Sequence, residues 1–307
     1  MYKNSFPHNY SGIALTLTYL GNFYRMMGNY KKAEDLLKKS LSTYKKYIPE
    51  DHIGSARALA SLGNVYREVG KYKQAKGLFK ESLAKYKQFS SEDEARNIAW
   101  VLTCLGQVYV ELAQYDKAKD FLERALITNK TLFPVNHPYV AWIGEALGNA
   151  HIGLGNYETA IRYLKQGLIV YENNYDEDNL ATARILKNLG NACFLKGDLK
   201  SGEYYFNSAL KIFHLYKHPG IYMPLEGLAE LYGKKAIEEK SKGNIKQSKN
   251  FETQSLNYLK QALEIVKAHF PKDSPHIARI QAKLHSLERQ NSPNFSLGNL
   301  PHPNFLF

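Results

Sequence analysis

Leu62-Gly63-Asn64-Val65-Tyr66-Arg67-Glu68-Val69-Gly70-Lys71-Tyr72-Lys73-Gln74-Ala75 is the stretch whose reading decides the fold. Leu62 and Tyr66 stand at i and i+4, one face of a helix. Gly70 can take the left-handed conformation that ends that helix, and Tyr72 and Ala75 open a second apolar face just beyond it. The stretch therefore encodes two antiparallel helices and the turn between them.

The same unit recurs. Leu-Gly-Asn triplets start at Leu20, Leu62, Leu147 and Leu189, and Leu105-Gly106-Gln107 fills the gap, so successive leucines lie 42, 43, 42 and 42 residues apart. A constant period in this range is the signature of stacked helical repeats. The residues after each leucine repeat as well. Leu20, Tyr24, Gly28, Tyr30 and Ala33 are followed by Leu62, Tyr66, Gly70, Tyr72 and Ala75, then by Leu105, Tyr109, Ala113, Tyr115 and Ala118. The fourth and fifth copies are looser, with His151 and Cys193 where the others have Tyr. One hairpin cannot bury its apolar stripe alone, so stacking is obligatory.

At these positions the chain resembles the tetratricopeptide family, over roughly residues 14–289. Its period, longer than the usual ~34 residues, resembles the kinesin-light-chain-like branch. So do the proline- and histidine-bearing connectors Phe133-Pro134-Val135-Asn136-His137-Pro138 and Phe270-Pro271-Lys272-Asp273-Ser274-Pro275-His276. The resemblance implies an all-α fold, a right-handed solenoid of stacked antiparallel hairpins.

The expected organisation is a linker-like segment at 1–12, a solenoid over 13–290 and a Pro- and Asn-containing disordered tail at 291–307. About six hairpins and a capping helix make up the solenoid. The sixth hairpin, 227–270, is stretched: Leu228 to Gly243 spans 15 residues where Leu20 to Gly28 spans 8. Each arm gains seven residues, about two turns, and the charged segment 234–251 should project from the stack as an insertion.

Composition narrows the function. The 307 residues are 44% hydrophobic and 23% charged, those of a folded, core-forming chain. Two cysteines, Cys104 and Cys193, cannot staple a chain this long or form a zinc site. No cofactor and no metal are expected. The start of the chain lacks a secretory apolar region and no apolar run is long enough to span a membrane, which predicts a cytoplasmic protein, or one exported to a host cytosol if it is an effector. The charge of +12 is carried mainly by short lysine runs with acidic neighbours, a solvated face, so neither nucleic acid nor membrane is expected as partner. No nucleophile elbow, phosphate loop or carboxylate pair is present, and no enzymatic activity is predicted.

Binding is the expected function. In the family geometry the residue two after each marker leucine points into the concave groove: Asn22, Asn64, Gln107, Asn149, Asn191, Glu230 and Ser286. A carboxamide both donates and accepts, so such a ladder can hold an extended backbone whatever its sequence. Neighbouring groove positions hold Arg57, Trp100, Trp142, Arg184 and Lys187, with Arg25 and Arg67 further along. Tryptophan supplies an apolar anchor and the cations suit acidic flanks. The predicted partner is a protein or an extended or short helical peptide, held by a scaffold or adaptor. The alternatives are an autoinhibited or oligomerising sensor whose tail fills the groove, and the recognition arm of a larger enzyme or effector. The sequence leaves the oligomeric state open.

Overall fold

The computed structural model describes residues 9–89, 91–175 and 179–290, apart from the side chains of Glu92 and Gln290. The expected tail lies outside these residues. Six antiparallel hairpins follow one another: α1 (Tyr10–Met26) with α2 (Tyr30–Tyr47), α3 (His52–Glu68) with α4 (Tyr72–Tyr86), α5 (Glu92–Glu111) with α6 (Tyr115–Leu132). Then come α7 (Pro138–Gly153) with α8 (Tyr157–Asn174), α9 (Leu180–Lys196) with α10 (Leu199–Leu215), and α11 (Tyr222–Ser241) with α12 (Ile245–His269). A short 3-10 turn, Pro219–Ile221, precedes α11, and α13 (Pro275–Gln290) closes the stack. Helix α1 opens ahead of the expected boundary at 13 because the Asn9 side chain accepts a hydrogen bond from the Gly12 amide and caps it.

The glycine of each marker triplet sets the distance between the two helices of its hairpin. A Cβ on Gly21, Gly63, Gly106, Gly148 or Gly190 would lie 2.5 to 2.8 Å from Leu37, Phe79, Leu122, Leu164 or Phe206 respectively. All five of these large side chains are fully buried. Missing atoms on one helix thus make the socket for a large residue on the other. Buried serines fix the axial register: Ser40 donates to the Ala14 carbonyl, Ser82 to Ala56 and Ser255 to Ala229, at 2.8, 2.8 and 2.7 Å.

The sixth hairpin is longer, with helices of 20 and 25 residues. A second serine pair, Ser248 to the Ala236 carbonyl at 2.9 Å, sits two turns beyond the Ser255 pair. The extension therefore repeats the small-residue seam and projects as a continuous hairpin, as a seven-residue increment allows. Five turns use a left-handed glycine, while Ala113 takes the same conformation in hairpin 3 at φ 53°, an arrangement that costs about 1 kcal/mol without glycine.

The stack curls until its ends touch. The turn after α1 meets Pro219 and the turn after α3 meets Pro275, while Tyr30 of α2 lies 5.2 Å from Phe270 at the end of α12. One apolar core accordingly runs from Tyr30, Leu37 and Val65 to Tyr222, Leu259 and Ile280.

Candidate binding surface on the concave face

The first helices of the hairpins line the concave side, where ion pairs recur in a fixed register. Glu145, two before its marker leucine, accepts from Arg184 Nε and Nη2 at 3.4 and 3.2 Å and from Asn188 Nδ2 at 3.2 Å on the next first helix. Glu226, the same position two hairpins on, accepts from Arg279 Nε and Nη2, both at 2.8 Å, and from Lys283 Nζ at 2.7 Å. Lys283 also reaches Glu230. Burial alone would raise the Glu226 carboxyl, but Arg279 and Lys283 hold it down at about 2. At Arg184 burial opposes the cation and Glu145 more than offsets it.

Several predicted contact residues are engaged within the protein. Asn22 Nδ2 donates to Ser61 Oγ at 2.9 Å. Arg25 pairs with Glu68, and Arg67 lies 3.5 Å from the same carboxylate. Asn64 is only 6% exposed and its Oδ1 faces the Cys104 thiol at 3.6 Å. Arg57 lies near the Tyr86 phenol, which burial pushes up to about 12 against the pull of Arg57. Trp100 and Trp142 are half-buried. Trp142 packs on the apolar clusters of α3–α5 and of α7–α9, so it joins successive hairpins.

Other predicted residues keep free polar groups. Asn149, Lys187 and Asn191 are half-buried and bond to no described residue. Gln107 Oε1, Arg25 Nε and Arg67 Nε are buried without a partner. Lys187 stands where repeats 4 and 6 carry Glu145 and Glu226, but the following first helix offers Met223 and Gly227 where those two meet Arg184 with Asn188 and Arg279 with Lys283. Burial lowers the Lys187 pKa against the pull of Glu111 and Glu145. Of the seven positions two after the marker leucine, Glu230 is taken by Lys283. Ser286, on α13, is exposed.

Glu68 and Arg67 of α3 act on Tyr30, as does Tyr222 of α11, and Glu111 of α5 acts on Lys187 of α9. Arg184 keeps 41% of its side-chain surface open although burial is the largest influence on its pKa. Among the described residues no group of His, Cys, Asp or Glu is placed to hold a metal ion, and no helix is long and apolar enough to cross a membrane.

A tetratricopeptide repeat model matches residues 12–88, 97–172 and 138–213, more than half of the chain. The protein belongs to the tetratricopeptide repeat family. Comparison with curated proteins finds no match. Among solved structures it resembles a Rap protein complexed with competence and sporulation factor, at 14% identity and a TM-score of 0.63, over 94% of this chain and 89% of that one. It also resembles the Rap conjugation gene regulator of the plasmid pLS20 in complex with the Phr* peptide, at 14% identity and TM-score 0.56, over 83% and 76%. BtubC (BKLC) from P. vanneervenii follows at 17% identity and TM-score 0.50, over 90% and 97%. At these identities the likeness is one of fold. Family and fold together make the protein an interaction scaffold of a generally non-catalytic kind.

Proposed function

We propose that the concave face holds an extended or short helical peptide, and that the protein acts as a scaffold or adaptor through that contact. The observation that carries this reading is the run Asn149, Lys187 and Asn191: three neighbouring polar side chains that bond to no described residue, on a wall where Arg25, Arg67, Arg184, Glu145 and Glu226 are held in ion pairs. Two amides and an amine can satisfy a peptide's carbonyls and amides, and a half-buried polar group without a partner gains most from one. The pLS20 Rap regulator, a structural neighbour, is seen with a peptide, which supports the same class of ligand.

Acidic flanks on that peptide would be met by Lys187 and by Arg57, because Arg25 and Arg67 share Glu68 and Arg184 is held by Glu145. Catalysis has no place in this reading, and cytoplasmic residence belongs with it. Pull-down with the wild type and an Asn149→Ala/Lys187→Ala/Asn191→Ala variant tests the site. Equal recovery of the same partners by both would refute it.

A second reading, self-association, is favoured by α1. Tyr19, Leu20, Phe23, Met26 and Met27 are exposed there, and Arg25 is the helix's single charge. Sedimentation of the wild type beside a Leu20→Lys/Phe23→Lys variant tests it; a monomer in both would remove it.

A further inference from the structure

Two contacts close the superhelix, and they are equivalent. The turn after α1 carries Gly28, whose hypothetical Cβ would lie 2.3 Å from Pro219; the turn after α3 carries Gly70, whose Cβ would lie 2.4 Å from Pro275. Gly28 and Gly70 are one 42-residue repeat apart. Pro219 and Pro275 are one repeat apart too, once the two seven-residue extensions of hairpin 6 are included. A chance collision of the ends would not be repeated in register. The contact is a property of the superhelical geometry.

The second contact is also bonded. Ser274 Oγ donates to the Val69 carbonyl at 3.2 Å, and His276 Nε2 lies 3.1 Å from the Glu68 carbonyl, across 205 and 208 residues of chain. A carbonyl only accepts, so Nε2 carries the proton and Nδ1 is the acceptor for the Tyr222 hydroxyl, 3.3 Å away. Phe270 closes the group, 5.3 Å from His276 and 5.5 Å from Tyr222. The hydrogen bonds belong to a turn and the start of α13 rather than to the seam of a hairpin, and the apolar contact beside them is Tyr30 on Phe270, so the closure can part while every hairpin stays intact.

We propose that the connector ahead of α13 together with the first two residues of that helix, residues 271–276, is a latch: seated on the turn of hairpin 2 it holds the superhelix closed, and its release admits a ligand to the concave face. The second half rests on the peptide-binding reading above, and the first half stands without it. Closed and open forms are two states of one scaffold, and any ligand that fits the concave face only when the superhelix is open selects the open one.

The glycines supply a controlled test. Gly70 and Gly155 are both left-handed, at φ 87° and 74°, so alanine strains both turns alike. Only Gly70 has a proline against it; nothing lies within 4 Å of a Cβ at Gly155. Spin labels at Lys73 and Lys272, both exposed, read the distance across the latch, and the native cysteines are buried. Wild type and Gly155→Ala should give one short, narrow distance. Gly70→Ala, and separately Ser274→Ala/His276→Gln, should give a longer and broader one. An Asn191→Cys thiol on the inner wall should then react with a polymer-linked maleimide about tenfold faster in the latch variants than in Gly155→Ala. Neither readout involves a peptide, so failure of the peptide reading leaves both unmoved. An unchanged distance in the latch variants overturns the latch, and an unchanged thiol rate overturns its role in admission. If Ser274→Ala/His276→Gln abolished the helical circular dichroism, the contact would be core rather than latch, and the proposal would fall.

Discussion

Arg279 holds Glu226 through two parallel hydrogen bonds, Nε to Oε1 and Nη2 to Oε2, each 2.8 Å. This fork ties α13 to α11, and α13 carries His276, so the same pair steadies one half of the latch. Glu226 is buried, whereas the Arg279 side chain keeps 42% of its surface open. Replacing the carboxylate leaves a cation that water can still reach, so Glu226→Gln should cost about 1–2 kcal/mol, below the range for a fully buried pair. A urea midpoint measures it. The pH dependence follows from the same pair. The folded carboxyl is held at about 2 and the unfolded one titrates near ~4.3, so the stabilisation is complete above the unfolded value and is lost as pH falls toward the folded one. Glu226→Gln should flatten the stability curve in that window.

At the latch the acid response comes earlier. Burial, then Arg279, lowers the His276 pKa; Glu111, the Glu68 backbone and Glu226 pull the other way, and Tyr222 donates to Nδ1. Burial lowers His218 as well. Both rings are neutral in the folded protein, while the unfolded chain takes up protons near ~6.5. Their stabilisation is therefore full above that value and is lost as pH falls through the lower folded values. Acidification from neutral should reduce the thermal midpoint first through this window. His276→Gln should shrink that early loss and leave the later carboxylate loss in place, which differential scanning calorimetry at stepped pH would resolve.

Glycines of one composition should respond with opposite sign. A Cβ at Gly63 would lie 2.8 Å from the fully buried Phe79 ring, so Gly63→Ala overpacks the hairpin and should cost about 1–3 kcal/mol. Gly77, inside α4, is exposed and has nothing within 4 Å of a Cβ. Gly77→Ala should add about 0.5–1 kcal/mol by restricting the unfolded chain and restoring helix propensity. Chemical denaturation of both variants checks the pair.

Those two glycines also mark what the sequence makes legible. Gly63 sits in the marker triplet, and its partner Phe79 lies in the same hairpin, so period and spacing suffice to pair them. The placement of Leu228 was legible too: Glu226 reaches Arg279 across 53 residues where Glu145 reaches Arg184 across 39, the difference being the two added segments. The groove was legible only as a set of positions. Asn64 and Asn149 hold equivalent places, yet Asn64 is buried against Cys104 while Asn149 is unbonded, because the next hairpin decides. A contact such as His276 with Glu68 depends on small rotations accumulated over several hairpins. No local pattern carries that sum.

Lys187 brings stability and binding into opposition. Its amine is half-buried, bonds to no described residue, and is kept below the usual lysine range by burial. The next first helix places Met223 and Gly227 where the registers of Glu145 and Glu226 supply an arginine with an asparagine or a lysine. An aliphatic side chain of similar length suits that setting better, and the cost of holding an unpaired ammonium disappears. Lys187→Met should therefore raise stability by about 0.5–1 kcal/mol, read as a higher urea midpoint, while reducing partner recovery in pull-down. Lys187→Glu should recover even less of a partner with acidic flanks. A fall in stability on Lys187→Met would mean that the lysine is already serving the fold, and the free-amine basis for peptide binding would be lost.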